Sequence, residues 1–290
     1  MCSPSVMARV NEKLAHRHGI DRRSLLKASA VAAVATVPLI SSQVRAQEAT
    51  PVASPVSLGC FNINSIVDLT HVWSPKFPVY AGSEYMTMET VYTVANDGFF
   101  VNRMHFEEHT GTHLDAPAHF IDGGATAEIL PVENFFAPII VVDISAKAAS
   151  DDDAAVTVDD LIAWEAEYGA IPERAFVAMY SGWESRLSDP DTYINLDPEG
   201  VQHYPGFDPD AAAFLVEERN IVGIGVDTLS QDPGNSVDFG THLTILGAAK
   251  YAVENVANLT QLPPVGANVI VGGPKHENAS GGPTRIYGVY

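Results

Sequence analysis

Apolar residues along the chain fall into short blocks whose lengths and spacing indicate β-strands. Three blocks are continuously apolar, as expected of strands covered on both faces of a sheet, at 138–145, 175–180 and 221–227. Shorter segments, also predicted as strands, occur at 65–72, 268–273 and 284–290.

Helical patterns separate these strands. Residues 157–169 begin with Thr157 as a candidate N-cap, and residues 208–220 begin with Asp208 in the same role. A third segment, 242–259, is predicted to be helical over most of its length. Strands that alternate with helices are typical of α/β domains, so we expect a sheet with flanking helices.

A predicted hairpin makes this sheet mixed rather than wholly parallel. Residues 88–95 and 99–109 are rich in β-branched and aromatic residues, and the turn-forming sequence Asn96-Asp97-Gly98 separates them. The second of these strands leads directly into the polar stretch discussed below.

The first 46 residues resemble an export signal that is separate from the fold. They contain the paired arginines Arg22 and Arg23, a 13-residue apolar run at 28–40 and a small residue, Ala46, at a cleavage position. The run is shorter than the ~20 residues of a membrane span, so we expect cleavage without stable membrane insertion. The pattern predicts a periplasmic or extracellular protein with a twin-arginine-type signal at 1–46, a flexible linker at 47–61 and a single domain at 62–290.

Charge and cysteine content exclude two possibilities. The net charge of −20 argues against a nucleic-acid partner, because phosphate binding requires clustered lysine and arginine. Cys2 and Cys60 are the two cysteines, and Cys2 would leave with the signal. The mature chain therefore cannot form an internal disulfide.

The stretch HTGTHLDAPAHF (109–120) concentrates four chemically active side chains within eleven residues. They are His109, His113, Asp115 and His119. On a regular helix they would not share a face, whereas in an extended chain all four odd-numbered positions do. Gly111 permits a sharp bend and Pro117 disfavours helix before it, so we expect a bent, rigid loop with converging polar groups.

Such convergence indicates a metal site. Imidazole and carboxylate bind Zn²⁺, Mn²⁺ and similar ions, and His109, His113 and Asp115 could supply three ligands. His119 would remain for proton transfer, because the unperturbed pKa of histidine lies near neutrality. The alternative is that these histidines only form hydrogen bonds in a polar loop. The sequence contains neither a GxSxG nucleophile motif nor a phosphate-binding glycine-rich motif.

The motif HxGTHxDxPxHF resembles the signature of the metal-dependent cyclase family, which includes bacterial kynurenine formamidase (arylformamidase) and isatin hydrolase. Other family-like segments extend the resemblance over about residues 65–290. They are PVYAG (78–82), DTLSQDP (227–233), His242 followed by Glu254-Asn255, and NASGGPTRIYGV (278–289).

The resemblance implies a swivelling β/β/α fold, a homodimer or higher homo-oligomer, and one or two divalent metals. By position, His109, His113 and Asp115 would hold one ion, and His242 would hold a second, bridged by Asp115 and Glu254. The formamidases imply two Zn²⁺ ions and the isatin hydrolase-like members one Mn²⁺ ion. His242 and Glu254 could instead be surface groups, since they share a face only on an unbroken helix.

The resemblance also assigns roles around the metal. His119 would be the acid/base residue, and Tyr80 would replace the family's substrate-contacting tryptophan, although Tyr80 could equally pack in the core. Arg285 is a candidate for shaping the pocket, and Asp232 is interpreted as a supporting group. We predict a hydrolase that uses metal-activated water to cleave an amide, lactam, lactone or formamide bond of a small aromatic or cyclic substrate. The alternative is a non-catalytic exported metal- or ligand-binding protein.

Overall fold

A computed structural model describes residues 63–290. The strands in this part are β1 (Ile66–Asp68), β2 (Thr87–Tyr92), β3 (Val101–His105), β4 (His113–Asp115), β5 (Phe136–Asp143), β6 (Ala155–Val156), β7 (Phe176–Tyr180), β8 (Gly206–Phe207), β9 (Gly223–Val226), β10 (Tyr251–Glu254), β11 (Ala267–Gly272), β12 (Gly281–Pro283) and β13 (Arg285–Val289). The α-helices are α1 (Val94–Asp97), α2 (Ser145–Ala148), α3 (Val158–Tyr168), α4 (Pro190–Ile194), α5 (Pro209–Arg219) and α6 (Gly240–Gly247). Short 3₁₀ helices occur at Pro117–His119, Ala127–Ile129, Val132–Phe135, Trp183–Arg186 and Leu259–Gln261.

Nine of the described strands form one mixed sheet, in the order β1-β13-β11-β5-β7-β9-β10-β4-β12. Its centre is parallel, from β5 through β7 and β9 to β10. The strands on either side pair antiparallel. The α/β class with a mixed sheet and flanking helices is therefore confirmed.

Both faces of the sheet are covered, which explains the continuous apolar runs. Along β5, Ile139 and Val141 belong to one buried cluster, whereas Ile140 and Val142 belong to a second. Successive side chains of a strand point to opposite faces, so each must find an apolar layer. Helices α3, α5 and α6 contribute to the second cluster.

Two helices begin and end where their capping residues predict. Thr157 caps α3 through a capping box with Asp160, and the helix ends before Gly169. Asp208 caps α5, whose first residue is Pro209.

The segment 242–259 differs from the prediction of one long helix. Helix α6 ends at Gly247, Ala249 has a φ of 57°, and β10 begins at Tyr251. All four residues of β10 are buried between β9 and β4. The periodicity of a short apolar run does not distinguish a helix from a strand. Here the segment forms a strand because it pairs with β9 on one side and with β4 on the other. His242 and Glu254 therefore lie on different elements.

Among the described residues, 88–104 cluster separately from 63–87 and 105–290. Strands β2 and β3 pair in a two-stranded sheet, which confirms the predicted hairpin. The prediction that this hairpin makes the main sheet mixed is wrong, because β2 and β3 are not part of the nine-stranded sheet. Its turn is helical, because Thr93 caps α1 and Gly98 closes it with a φ of 83°. Hydrogen bonding of Thr90 to Asn102 joins the two strands.

The predicted signal at 1–46 and linker at 47–61 lie outside the described residues. Across residues 63–290, no helix combines the length and apolar character needed to cross a membrane.

Candidate metal centre and active site

The loop that carries the histidine motif bends at Gly111 and then enters β4. Gly111 has a φ of 66°, and a Cβ at this position would lie 2.8 Å from the indole of Trp73. Only glycine combines this conformation with this close approach. Strand β4 is buried between β10 and β12, which fixes the directions of His113 and Asp115. The predicted bend is therefore present.

Asp115 lies at the centre of the resulting cluster. Its Oδ1 is 2.7 Å from Nδ1 of His109 and 3.3 Å from Nε2 of His113, and its Oδ2 is 3.5 Å from Nε2 of His242. Glu254 completes the cluster, with Oε2 3.4 Å from Nε2 of His113 and Oε1 3.5 Å from Nε2 of His242. The fold brings together all five residues predicted as metal ligands.

The imidazoles of His109, His113 and His242 each make a contact through the ring nitrogen that points away from the cluster. Nδ1 of His113 lies 2.9 Å from a backbone carbonyl oxygen, and Nδ1 of His242 lies 2.5 Å from Oδ2 of Asp232. Nε2 of His109 lies 2.9 Å from Oγ of Ser280. When these outer nitrogens donate, the inner nitrogens present their lone pairs to the cluster, as metal-binding histidines do.

The donor set fits a divalent metal. Nε2 of His113 is buried and has no hydrogen-bond partner, although such a group normally has one. Two groups of donors have atoms within 4.8 Å of one another: His109, His113 and Asp115 form one, and Asp115, His119 and His242 form the other. Nitrogen and oxygen donors without thiolate suit Zn²⁺ or Mn²⁺, and the shared Asp115 is suited to bridging two ions.

The electrostatics of the cluster also favour a cation. Burial, and then the charge of Asp115, raise the pKa of Glu254 well above its usual range. Burial lowers the pKa of His242, but the carboxylates of Asp115 and Asp232 outweigh burial and raise it to about 10. These raised pKa values mean that protons on His242 and Glu254 offset the negative charge of the buried carboxylates. A divalent ion would offset the same charge and displace protons from its ligands.

His119 differs from the other three histidines. Its ring stacks on His109 with centroids 3.7 Å apart, and burial is the main cause that lowers its pKa to about 4. Among residues 63–290, its imidazole has ring contacts but makes no hydrogen bond. It is therefore neutral at neutral pH and can accept a proton, and it could also bind an ion beside His242.

A cavity of about 370 Å³ opens onto the cluster and has aromatic walls. Phe120 lies on one side, with ring centroids 4.3 Å from His242 and 5.4 Å from Phe239. Tyr80 also lines the cavity, while packing against a buried cluster that includes Trp183. The two interpretations of Tyr80, pocket wall and core packing, are therefore compatible.

Comparison with known proteins identifies the family. The model of the Cyclase family matches residues 67–233, more than half of the chain. The chain belongs to this cyclase family.

Its relatives include hydrolases. The isatin hydrolase of Roseibium aggregatum is 33% identical over 237 residues, which cover 76% of this chain and 89% of that protein. The kynurenine formamidase of Salinibacter ruber is 28% identical over 202 residues, which cover 69% and 85%. The structure of isatin hydrolase A from Labrenzia aggregata bound to benzyl benzoate matches with a TM-score of 0.73 and 36% identity, covering 78% of this chain and 93% of that one. The resemblance and the cyclase fold predicted from the sequence are confirmed.

The structure shows supporting residues that could not be predicted from the sequence. Asn255, with a φ of 55°, donates from Nδ2 to the carbonyl of Gly111 at 3.0 Å. Gln231 donates from Nε2 to Asp115 at 3.2 Å and from its backbone N–H to Glu254 at 3.0 Å. Both residues lie in segments that carry the family resemblance, but their contacts join distant parts of the chain.

The prediction that Arg285 helps to shape the pocket is wrong. Arg285 is exposed and pairs with Asp68, its Nε lying 2.9 Å from Oδ1 of that residue, and it does not line the cavity. Residue 285 is the first of β13, a strand that pairs with β1 and β11, and its side chain is exposed. The interpretation of Asp232 as a supporting group agrees with its contact to His242.

Proposed function

We propose that this protein is a metal-dependent hydrolase that opens the cyclic amide of a small aromatic compound such as isatin. One observation carries the proposal: three pre-oriented imidazoles face Asp115 and Glu254 at the base of an aromatic-walled cavity. The higher identity to isatin hydrolase than to kynurenine formamidase, 33% against 28%, favours a lactam over a formamide.

The residues of the cluster have distinct proposed roles. His109, His113 and Asp115 hold one ion, and His242 and Glu254 with Asp115 can hold a second. A bound divalent ion lowers the pKa of a coordinated water and polarises the substrate carbonyl.

His119 is the proposed proton-transfer group. Neutral His119 accepts a proton from the attacking water and delivers it to the departing amide nitrogen. Its stacking on His109 places it beside the first group of donors, so the proton moves next to the reacting carbonyl.

The cavity walls are proposed to select flat substrates. Tyr80, Phe120 and Phe239 offer ring faces and edges to an aromatic bicycle. A fused lactam places its carbonyl next to its aromatic ring, so stacking on these walls would direct the carbonyl to the cluster.

The test is turnover by protein stripped with a chelator and reloaded with Zn²⁺ or Mn²⁺, with isatin, N-formylkynurenine and a simple lactone as substrates. We expect isatin to be cleaved fastest, in a metal-dependent reaction. The His119→Gln variant should still bind an ion at His109, His113 and Asp115 but lose about 10²–10⁴-fold in kcat, the usual contribution of acid–base catalysis. His203→Gln is the matched control, because His203 pairs with Asp153 and Asp197 away from the cavity.

Three outcomes would contradict parts of the proposal. If N-formylkynurenine is cleaved fastest, the substrate class is a formamide and not a lactam. Full activity of metal-loaded His119→Gln on every cleaved substrate would remove His119 from the mechanism. Metal binding without turnover of any substrate would favour the non-catalytic binding protein instead. Elemental analysis of protein purified without added metal would identify the ion and give one or two equivalents.

We also propose that the protein is exported through its twin-arginine-type segment and works as a homodimer or higher homo-oligomer. Support for export comes from Arg22, Arg23 and the apolar run at 28–40. Replacing both arginines by lysine should retain the protein in the cytoplasm in cell fractionation. Light scattering on the purified protein would give the oligomeric state, and a monomer would contradict it.

A further inference from the structure

The ring of His109 is closely packed between neighbouring residues. His119 stacks on one face of its ring at 3.7 Å. Gly281 also lies close to the ring, since a Cβ there would lie 2.6 Å from Cε1 of His109. These contacts restrict rotation of the ring about its χ2 bond, and the group bonded to Nε2 is in position to determine its tautomer.

That group is the first member of a hydrogen-bond chain leading to the surface. Oγ of Ser280 lies 2.9 Å from Nε2 of His109 and 2.5 Å from Oε2 of Glu108. The backbone N–H of Ser280 also donates to Oε2 of Glu108, at 3.2 Å. The other oxygen of Glu108 lies 2.6 Å from Nε2 of His276, whose side chain is half exposed.

The donor and acceptor groups determine the direction of each hydrogen bond in this series. A carboxylate can only accept, so the hydroxyl of Ser280 donates to Glu108 and uses a lone pair to accept from His109. Nε2 of His109 must then carry a hydrogen, which leaves Nδ1, 2.7 Å from Oδ1 of Asp115, as the nitrogen that would bind a metal ion. His242 achieves the same result with a direct carboxylate, and His113 with a backbone carbonyl.

We infer that Glu108 and Ser280 are positioning residues that fix the tautomer and ring orientation with which His109 binds metal. The inference rests on the metal site of the proposed function, but not on any substrate. Outer partners of this kind typically change metal affinity by about 10–100-fold. Ser280→Ala should therefore weaken Zn²⁺ binding by about 10–100-fold, and Glu108→Gln by about 10-fold.

The experiment measures Zn²⁺ affinity of the whole chain by competition with a chromophoric chelator. Glu128→Gln is the matched control, because Glu128 accepts from the backbone N–H groups of Asn278 and Ala279 in the same tail but does not touch His109. Its affinity should equal that of the wild type. Ser280→Thr keeps the hydroxyl and should restore binding lost in Ser280→Ala.

A second readout is independent of metal loading. Long-range ¹H–¹⁵N spectra of the metal-free protein report the tautomer of each imidazole, and His109 should show hydrogen on Nε2 in the wild type. The Ser280→Ala variant should show a mixed or reversed tautomer, whereas Glu128→Gln should not. A change in folding alone would lower the melting temperature without this selective change.

The outcomes separate this inference from the proposed function. Unchanged affinity and an unchanged His109 tautomer in both Ser280→Ala and Glu108→Gln would overturn the inference, even if isatin is hydrolysed. Absence of Zn²⁺ and Mn²⁺ binding by the wild type would overturn the proposed function, and the tautomer measurement would still decide whether the chain orients His109. Equal losses in Glu128→Gln would assign the effect to the tail as a whole and would also overturn the inference.

Discussion

The tetrapeptide Gly-Thr-His-Leu occurs twice, at 111–114 and at 240–243, and the two copies adopt different structures. The first runs into strand β4, and the second forms the start of helix α6. Both nevertheless bring a histidine to the same cluster, His113 and His242, on opposite sides of two carboxylates. Identical residues thus reach one site by different secondary structures.

The surroundings of each copy account for the difference. At the first, Gly111 bends the chain, and β10 and β12 provide ladder partners on both sides. At the second, Asp232 accepts from the backbone N–H groups of Thr241 at 2.7 Å and of His242 at 3.1 Å. These are N–H groups that a starting helix leaves unpaired, so a remote carboxylate caps α6.

Among substitutions that compare the two copies, those of the histidine should have the largest effect, which is on metal binding. His113 contacts both Asp115 and Glu254 and belongs to the first donor group, so His113→Ala should weaken binding of that ion beyond the ~100-fold associated with outer partners. His242 belongs to the second group only, so His242→Ala should keep one tightly bound equivalent. Metal titration followed by elemental analysis distinguishes the two variants. Loss of all metal in His242→Ala would show that the two groups act as one site.

The leucine position should show the next largest effect. Leu114 is fully buried in the core, whereas Leu243 on α6 is 48% exposed. Leu114→Ala should lower the free energy of unfolding by about 2–5 kcal/mol, because it leaves a cavity. Leu243→Ala should change it by less than about 0.5 kcal/mol.

Denaturant unfolding of both variants measures this difference. A large loss in Leu243→Ala would show that its exposed face is covered in solution, which would support the proposed homo-oligomer. Sedimentation of the variant would then report a changed oligomeric state.

The two copies also show how far the sequence predicts the fold and the site. The central strands, helices α3 and α5 and the bend at Gly111 follow from local patterns and capping residues, and the structure has them. The strand at Tyr251–Glu254 could not be predicted, because its conformation is selected by the sheet position between β9 and β4. The family resemblance indicated His242 and Glu254 as candidate ligands, which their spacing along the chain alone does not.

The supporting contacts were harder still to predict. Ser280 and Glu108 lie 172 residues apart in the chain, and Gln231 lies 116 residues from Asp115. No local pattern links such pairs, since hydrogen bonds of this range arise only after the sheet has formed. The outward direction of Arg285 has the same origin, because it depends on how β13 pairs with β1 and β11 and on the contact of Arg285 with Asp68.

The threonine position should show the smallest difference between the two copies. Oγ1 of Thr112 donates to the carbonyl of Asn255 at 2.6 Å and accepts from the backbone N–H of His71 at 3.0 Å, whereas Oγ1 of Thr241 donates to the carbonyl of Phe207 at 2.7 Å. Replacement by valine leaves two partners unpaired at the first site and one at the second. At about 1–3 kcal/mol for each unpaired buried group, both variants should be destabilised, with Thr112→Val exceeding Thr241→Val by about 1 kcal/mol. Equal losses in urea unfolding would mean that water reaches the N–H of His71, and a larger loss in Thr241→Val would contradict the view that the strand copy is the more tightly fixed.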